Sequence, residues 1–328
     1  MDSAEKKPGI EAIEYWHPDR GTTNDDLARE FGNWDAKKAY RVTGVRNRYV
    51  GDVRLSDMAV KAAEKLFQIH SVDRSTIDFL IVVTQTGDYL MPATACLVQD
   101  KLRLSTGCGA FDVNLGCSGY VYGLSTAKAF LASGATRRVL LTTAEKVTHL
   151  NKNDRSSRVL FGEAAAATLL SCGENTLGTI GEFDLGTDGA GYKNLIVEAG
   201  GTALPRSEET AREKDNLFMD GMEIFNFSMR TGPATISAAL EKNGVSQDEI
   251  ACFILHQANK MILETLRAKM NVPLERFCID LEEMGNTSSC TIPIALRNRM
   301  ETFKTGDKIL LCGFGIGYSW GSTVLTWR

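Results

Sequence analysis

The chain has 328 residues, about two domains' worth, with 43% hydrophobic and 24% charged residues, which excludes a disordered, collagenous or disulfide-stapled protein. Its 37 basic and 41 acidic residues leave a net charge of −4 with no basic tract, so nucleic acid is not expected as a partner. No apolar stretch approaches the ~20 residues of a membrane helix, and residues 1–9 are polar, with neither signal-peptide nor anchor character. The expected location is cytoplasmic. The 8 cysteines show no CxxC pair or zinc spacing, so reduced, mostly buried thiols are expected and no metal site.

Helix-length segments alternate with short β-rich runs along the chain. The periodicity predicts a helix over 57–69 and a buried strand over 77–83. A strand-like run over 109–115 leads into Gly116-Cys117-Ser118-Gly119 and a helix pattern reaching Ser133. The flanking glycines allow a sharp strand-to-helix turn. A cysteine there sits at a helix N-terminus, where free amides and the helix dipole favour thiolate. A cysteine picked blindly is more often a buried structural one, but this turn marks Cys117 as a candidate nucleophile.

A second strand is expected at 138–142, and the polar, glycine-bearing stretch 171–181 is the best boundary, giving halves 1–175 and 176–328. Residues 186–206, rich in Gly, Ala and Thr, read as an excursion outside the core layers. A helix pattern over 225–243 precedes an apolar strand that closes on His256, with another helix over 260–270. A polar residue ending a buried strand occupies a functional position in open α/β sheets, although a lone histidine is as readily a satisfied core residue. Residues 275–281 read as a strand before Gly285-Asn286-Thr287-Ser288-Ser289, where Asn286 stands in what is also an ordinary turn string. A last strand is expected at 308–312.

The two halves repeat one another. Residues 75–81 resemble 247–254, 109–115 resemble 275–281, and 134–143 resemble 306–314. Any two βαβ stretches look alike. A true duplication in an α/β fold, however, would carry thiol, imidazole and carboxamide on corresponding strand ends near a pseudo-twofold axis.

The strings Gly116-Cys117-Ser118-Gly119, His256-Gln257-Ala258-Asn259 and Gly285-Asn286-Thr287-Ser288 are similar to the motifs of the β-ketoacyl-acyl-carrier-protein synthase III family. So are Thr43-Gly44-Val45-Arg46 and Phe314-Gly315-Ile316-Gly317, and the likeness spans essentially the whole chain. It implies the thiolase-like five-layered αβαβα fold of two duplicated halves, the first carrying the nucleophile and the second the His and Asn, in a homodimer. The implied reaction loads an acyl group on Cys117. A decarboxylative Claisen condensation with malonyl-acyl-carrier-protein then gives the 3-oxoacyl product, with His256 and Asn286 stabilising the enolate. The backbone N–H groups of Cys117 and Ile316 are the implied oxyanion hole. No permanently bound cofactor is implied; acyl-coenzyme A or acyl-carrier protein and malonyl-carrier protein are substrates.

The same resemblance places Arg155, Lys38 and Asn259 at the coenzyme A or phosphopantetheine entrance, Lys38 standing where the family has a tryptophan, with Trp34 too far back. It places Met91 at the acyl tunnel across the dimer, and Lys260, Arg267 and Lys269 as a basic face for the carrier protein. Two departures stand out: Phe161-Gly162-Glu163-Ala164-Ala165-Ala166 for the family's Phe-Gly-Asp-Gly-Ala-Gly, which requires local repacking, and Ile316 for a glycine. Alternatives are an acyltransferase acting on an oxygen or nitrogen acceptor without decarboxylation, and a non-catalytic partner subunit. A thiol protease fits the residue types but not the repeat.

Overall fold

A computed structural model describes residues 7–32, 34–208, 210 and 214–328. Residues 1–6 of the polar N-terminal stretch lie outside the described residues. The chain opens with β1 (Gly9–Trp16), β2 (Gly21–Thr23), α1 (Asn24–Phe31), α2 (Ala36–Thr43), β3 (Asn47–Tyr49) and α3 (Leu55–Ile69). There follow β4 (Phe79–Val83), α4 (Thr94–Lys101), β5 (Gly109–Val113), α5 (Gly119–Ala132), β6 (Arg138–Glu145) and β7 (Ala164–Ser171). After residues 172–177 come β8 (Gly178–Thr187), β9 (Leu195–Ile196), β10 (Phe218–Met219), α6 (Gly221–Lys242) and β11 (Ile250–Leu255). The last elements are α7 (Lys260–Lys269), α8 (Thr291–Arg299), β12 (Lys308–Gly315) and β13 (Ser319–Trp327).

Nine strands join in the order β11-β12-β13-β8-β1-β7-β6-β4-β5. Counted outward from the centre, one side runs β1-β7-β6-β4-β5 and the other β8-β13-β12-β11. Each side places its first strand innermost, then the fifth, fourth and second of its own half, which is the duplication expected from the repeat. The sides meet along a short antiparallel seam, Gly9 opposite Thr179 and Ile10 opposite Gly178. A Cβ at Gly9 would lie 2.5 Å from the Gly178 carbonyl, so only glycine permits this approach.

One expected strand is missing. Residues 275–281, the counterpart of β5, contribute a single bridge between Phe277 and Phe253. Pro273 precedes a one-turn 3-10 helix, Leu274–Arg276. Beyond the bridge, the Gln257 side chain takes over the ladder's role: Nε2 donates to the Cys278 carbonyl at 3.4 Å, and Oε1 accepts from Asp280 N at 2.7 Å. A side chain thus satisfies backbone groups that a neighbouring strand would otherwise pair.

Alternation along the strands sorts side chains into layers. On β4, Leu80 and Val82 pack with Ala62 and Leu66 of α3, whereas Ile81 and Val83 face α5. In the second half, Phe253 and Leu310 pack with Phe227 of α6 and Leu263 of α7, while Ile254 and Leu311 face inward. Tyr120, Val121 and Leu124 of α5 share that inner core with Ile292, Ala295 and Leu296 of α8. The result is five layers: α3 and α4, the β1 side of the sheet, α5 and α8, the β8 side of the sheet, then α6 and α7. Glu14 of β1, 1% exposed, ties three of them together through Lys65 of α3 at 3.1 Å and Arg297 of α8 at 2.9 Å. Among the described residues no helix is long and apolar enough to cross a membrane.

Leu124 lies wholly inside the shared middle layer. Leu124→Ala is expected to cost about 2–5 kcal/mol in urea denaturation, through lost transfer energy and the cavity left behind. A cost below about 1 kcal/mol would contradict a close-packed central layer.

Candidate active site

Cys117 stands between β5 and α5 in a tight turn, in which Gly119 N donates to the Gly116 carbonyl at 2.8 Å. Its sulfur rests on β12 of the other half. A Cβ at Gly315 would be 2.7 Å from Sγ, and one at Gly313 would be 2.7 Å from the Cys117 carbonyl. Both positions therefore require the absence of a side chain. A Cβ at Gly116 would meet Gln85 Oε1 at 2.2 Å and Ile316 Cγ2 at 3.1 Å, so the Ile316 side chain leans on this turn.

His256 follows β11, its N–H bonded to the Cys312 carbonyl at 2.7 Å, and its ring is buried with Nδ1 2.8 Å from Thr291 Oγ1. Asn286 is set by a bridge to Phe161: its N–H donates to the Leu160 carbonyl at 2.8 Å and its carbonyl accepts from Gly162 N at 3.0 Å. That crossing is tight. A Cβ at Gly162 would be 2.3 Å from the Met284 carbonyl, and Gly285, at φ +67°, leaves no more room. Ser288 N donates to Asn286 Oδ1 at 2.9 Å, and Asn286 Nδ2 donates to the Ala258 carbonyl at 3.3 Å. The carboxamide orientation is thereby fixed, leaving an N–H for a ligand.

Cys117, His256, Asn286, Ile316 and Asn259 line one cavity of about 490 Å³. Its other walls are largely apolar, including Leu160, Leu195, Met219, Ile224 and Phe314. Among the described residues no cluster of His, Cys, Asp or Glu is arranged to hold a metal ion.

Burial dominates the electrostatics. It pushes the Cys117 thiol up to about 11, against the backbone amides of Ile316 and Cys117 and the Ser288 side chain, which favour thiolate. Burial likewise lowers His256 to about 3, opposed by the Ser288 backbone. The proton therefore rests on sulfur at neutral pH. The expected depressed thiol is corrected: the helix N-terminus is present, but desolvation outweighs its amides. Glu145, also on the cavity wall, is raised to about 8 by burial against hydrogen bonds from Thr86, Gln85 N and Ser289.

Of the other sequence-derived positions, Lys38, Met91, Arg155, Lys260, Arg267 and Lys269 lie outside the cavity lining. Lys38 is exposed on α2. The Arg155 guanidinium lies 5.4 Å from the Phe31 ring, and Phe31 makes an edge contact with Trp34 at 5.6 Å. The break between α1 and α2, with Gly32 at φ +72°, folds Trp34 back onto α1. Asn259 caps α7 through Oδ1, accepting from Ile262 N at 2.8 Å. Lys260 pairs with Glu264 at 3.7 Å, Arg267 donates to the Val272 carbonyl at 3.0 Å and Lys269 to that of Met229 at 2.9 Å. Met91 is 82% exposed beside Leu90 and Tyr89.

The anomalous 161–166 string is accommodated. Glu163 accepts from Gly51 N at 3.0 Å and Val147 N at 3.3 Å, and the buried Ala164 and Ala166 pack with Met284, Cys290 and Ile294. Glu145, Ser289 and Thr291 were missed from sequence. Glu145 ends an apolar strand as His256 does, so the same rule would have found it.

Alkylation of Cys117 by iodoacetamide, followed by peptide mass, is expected to rise about tenfold per unit between pH 7 and 9, because only the thiolate reacts. A plateau near pH 8 would show that the thiol is not held up by burial.

Residues 111–189 match the family described as 3-oxoacyl-[acyl-carrier-protein (ACP)] synthase III, and residues 240–327 match its C-terminal part. The chain is 35% identical over 324 residues to the β-ketoacyl-[acyl-carrier-protein] synthase III of Fusobacterium nucleatum, covering 97% of this chain and 98% of that one. It is 38% identical over 316 residues to the synthase of the same name from Roseiflexus castenholzii, covering 94% and 95%. A crystal structure of a 3-oxoacyl-(acyl-carrier-protein) synthase III superposes with a TM-score of 0.94 at 40% identity, covering 98% of this chain and all of that one. With its duplicated five-layered fold, the chain belongs to the β-ketoacyl-acyl-carrier-protein synthase III family of thiolase-like enzymes.

Proposed function

We propose that the protein is a condensing synthase that joins an acyl group to a malonyl unit. The observation that carries this reading is the meeting of Cys117, His256 and Asn286, drawn from both halves, on one largely apolar cavity. In the first stage the Cys117 sulfur attacks an acyl thioester, and the carrier thiol leaves with the proton lost by Cys117. In the second, a malonyl thioester on acyl carrier protein enters, and its carboxylate departs as CO₂, leaving the electron pair as an enolate. Hydrogen bonds from Asn286 Nδ2 and from protonated His256 to the thioester oxygen stabilise that enolate. Its carbon attacks the acyl carbonyl, the C–S bond to Cys117 breaks, and one proton taken up per turnover restores the thiol.

The N–H groups of Cys117 and Ile316 both favour negative charge at the sulfur. We assign them as donors to the oxyanion formed on the acyl carbonyl, each worth about 3 kcal/mol. A largely neutral Glu145 keeps the cavity free of a second fixed negative charge when the malonyl carboxylate enters. The half carrying the thiol is 1–175 and the half carrying His256 and Asn286 is 176–328 in this reading.

The exposed Tyr89-Leu90-Met91 surface supports a homodimer in which Met91 closes the partner's acyl site. Lys260, next to the cavity residue Asn259, is the better carrier-protein contact, because Arg267 and Lys269 are engaged by backbone carbonyls. Arg155 and Trp34, on either side of Phe31, mark the entrance for a coenzyme A or phosphopantetheine arm.

Intact mass after mixing with acyl thioesters, with and without malonyl-acyl-carrier-protein, tests the reading. The wild type is expected to gain the acyl mass and lose it, with release of CO₂, when the malonyl donor is added. Cys117→Ala is expected to gain none, and Asn286→Ala to load normally but condense about 10²–10³-fold more slowly. Discharge of the acyl group to an oxygen or nitrogen acceptor without CO₂ would replace condensation by simple transfer. Full condensation by Cys117→Ala would overturn the assignment.

A further inference from the structure

His256 Nδ1 lies 2.8 Å from Thr291 Oγ1, and the same hydroxyl lies 3.0 Å from the Ser288 carbonyl with donating geometry. A threonine hydroxyl has one proton and a carbonyl can only accept. The Thr291 proton is therefore directed at Ser288, and toward the ring Oγ1 offers a lone pair. The nitrogen that approaches it must carry hydrogen. In a neutral imidazole the other nitrogen is then a bare acceptor. The Ser288 backbone also hydrogen-bonds the ring and favours its proton, and the ring borders the cavity. Thr291 is itself 3% exposed and is the first residue of α8, so this arrangement is built into a buried helix start.

We propose that Thr291 is a positioning residue that holds His256 as the Nδ1–H tautomer and presents Nε2 to the cavity as a proton acceptor. The catalytic meaning of this rests on the condensing reading; the tautomer does not. In loading, the Cys117 S–H proton passes to Nε2, sulfur forms its bond to the acyl carbon, and Nε2–H returns the proton to the departing thiolate. In condensation the entering malonyl carboxylate favours a protonated ring, so Nε2 takes up one proton and donates to the thioester oxygen as the enolate forms. It then gives that proton to the Cys117 thiolate released by C–S cleavage. This is the one proton the overall reaction consumes. The other titratable groups on the same cavity are Cys117, Glu145, Lys146, His149 and Tyr192.

Ser288 gives the device a second arm. Its carbonyl holds Thr291, while its N–H holds Asn286 Oδ1 at 2.9 Å. Its backbone sits at φ +52°, a conformation uncommon for serine. One peptide segment thus orients the imidazole and the carboxamide together.

Nitrogen-15 histidine labelling of the full-length protein tests the tautomer directly, because there are only 4 histidines and His256→Gln identifies the relevant signals. The wild type is expected to show a protonated Nδ1 and a bare Nε2; a protonated Nε2 in the resting enzyme overturns the proposal. Thr291→Val is expected to shift that pattern and to slow acyl loading of Cys117 from acyl-coenzyme A at pH 7, read by intact mass, at least tenfold. Thr291→Ser, which keeps the hydroxyl, is expected to stay within about threefold of wild type. Equal rates in wild type and Thr291→Val, or equal losses in both variants, also overturn it. Should Thr291→Val fail to fold, the wild-type spectrum and the serine variant decide. Neither readout uses a malonyl thioester, so each can fail independently of the condensing reading.

Discussion

Burial of an imidazole, and partial burial of a sulfur, on one largely apolar cavity is the constraint to which the rest of this molecule answers. A thiol held near 11 on the same cavity as a ring held near 3 stays neutral, so no thiolate–imidazolium pair preexists. The fold opposes that penalty with fixed dipoles instead of a neighbouring cation: the amides of Cys117 and Ile316 and the start of α5 all bear on one sulfur. They act without reorganising, which gives them weight once charge develops. Their placement depends on close backbone passage, and that is the physical demand behind Gly313 and Gly315 under the turn, and Gly162 beneath Asn286.

Duplication supplies the frame. Each half contributes the same strand order, and the innermost strands meet over only two residue pairs. Most of the union lies elsewhere, in the common core of α5 and α8 and in the buried Glu14, which reaches a lysine of one layer and an arginine of another. The nucleophile precedes α5, and the loop holding the imidazole and carboxamide leads into α8. The helices that pack together are therefore the ones that position the chemistry.

Cys117 and His256 were legible because their signals are local: a glycine-flanked strand-to-helix turn, and a polar residue ending an apolar strand. Asn286 was weaker in sequence, since its placement depends on a bridge to Phe161, 125 positions away by their numbering. The thiol's protonation was misread because sequence displays the helix start but not the exclusion of solvent. The failed strand over 275–281 has a similar cause. Its apolar pattern is real, but Gln257 satisfies the backbone groups that pairing would have used. Trp34 meets Phe31, the ring that Arg155 also approaches, because the chain turns back between α1 and α2, a matter of chain direction and not of spacing. Thr291 carried no local sign, as its importance lies wholly in which atom of which ring it meets.

The interleaved middle layer also limits how this enzyme can open. Tyr120, Val121 and Leu124 of α5 interlock with Ile292, Ala295 and Leu296 of α8, so the two halves share one filled interior. Parting them would tear a filled interior and strand the Glu14 carboxylate. What borders the cavity outside that interior is a rim, the segments around Val147–Leu150 and Leu217–Gly221, which belong to neither sheet side.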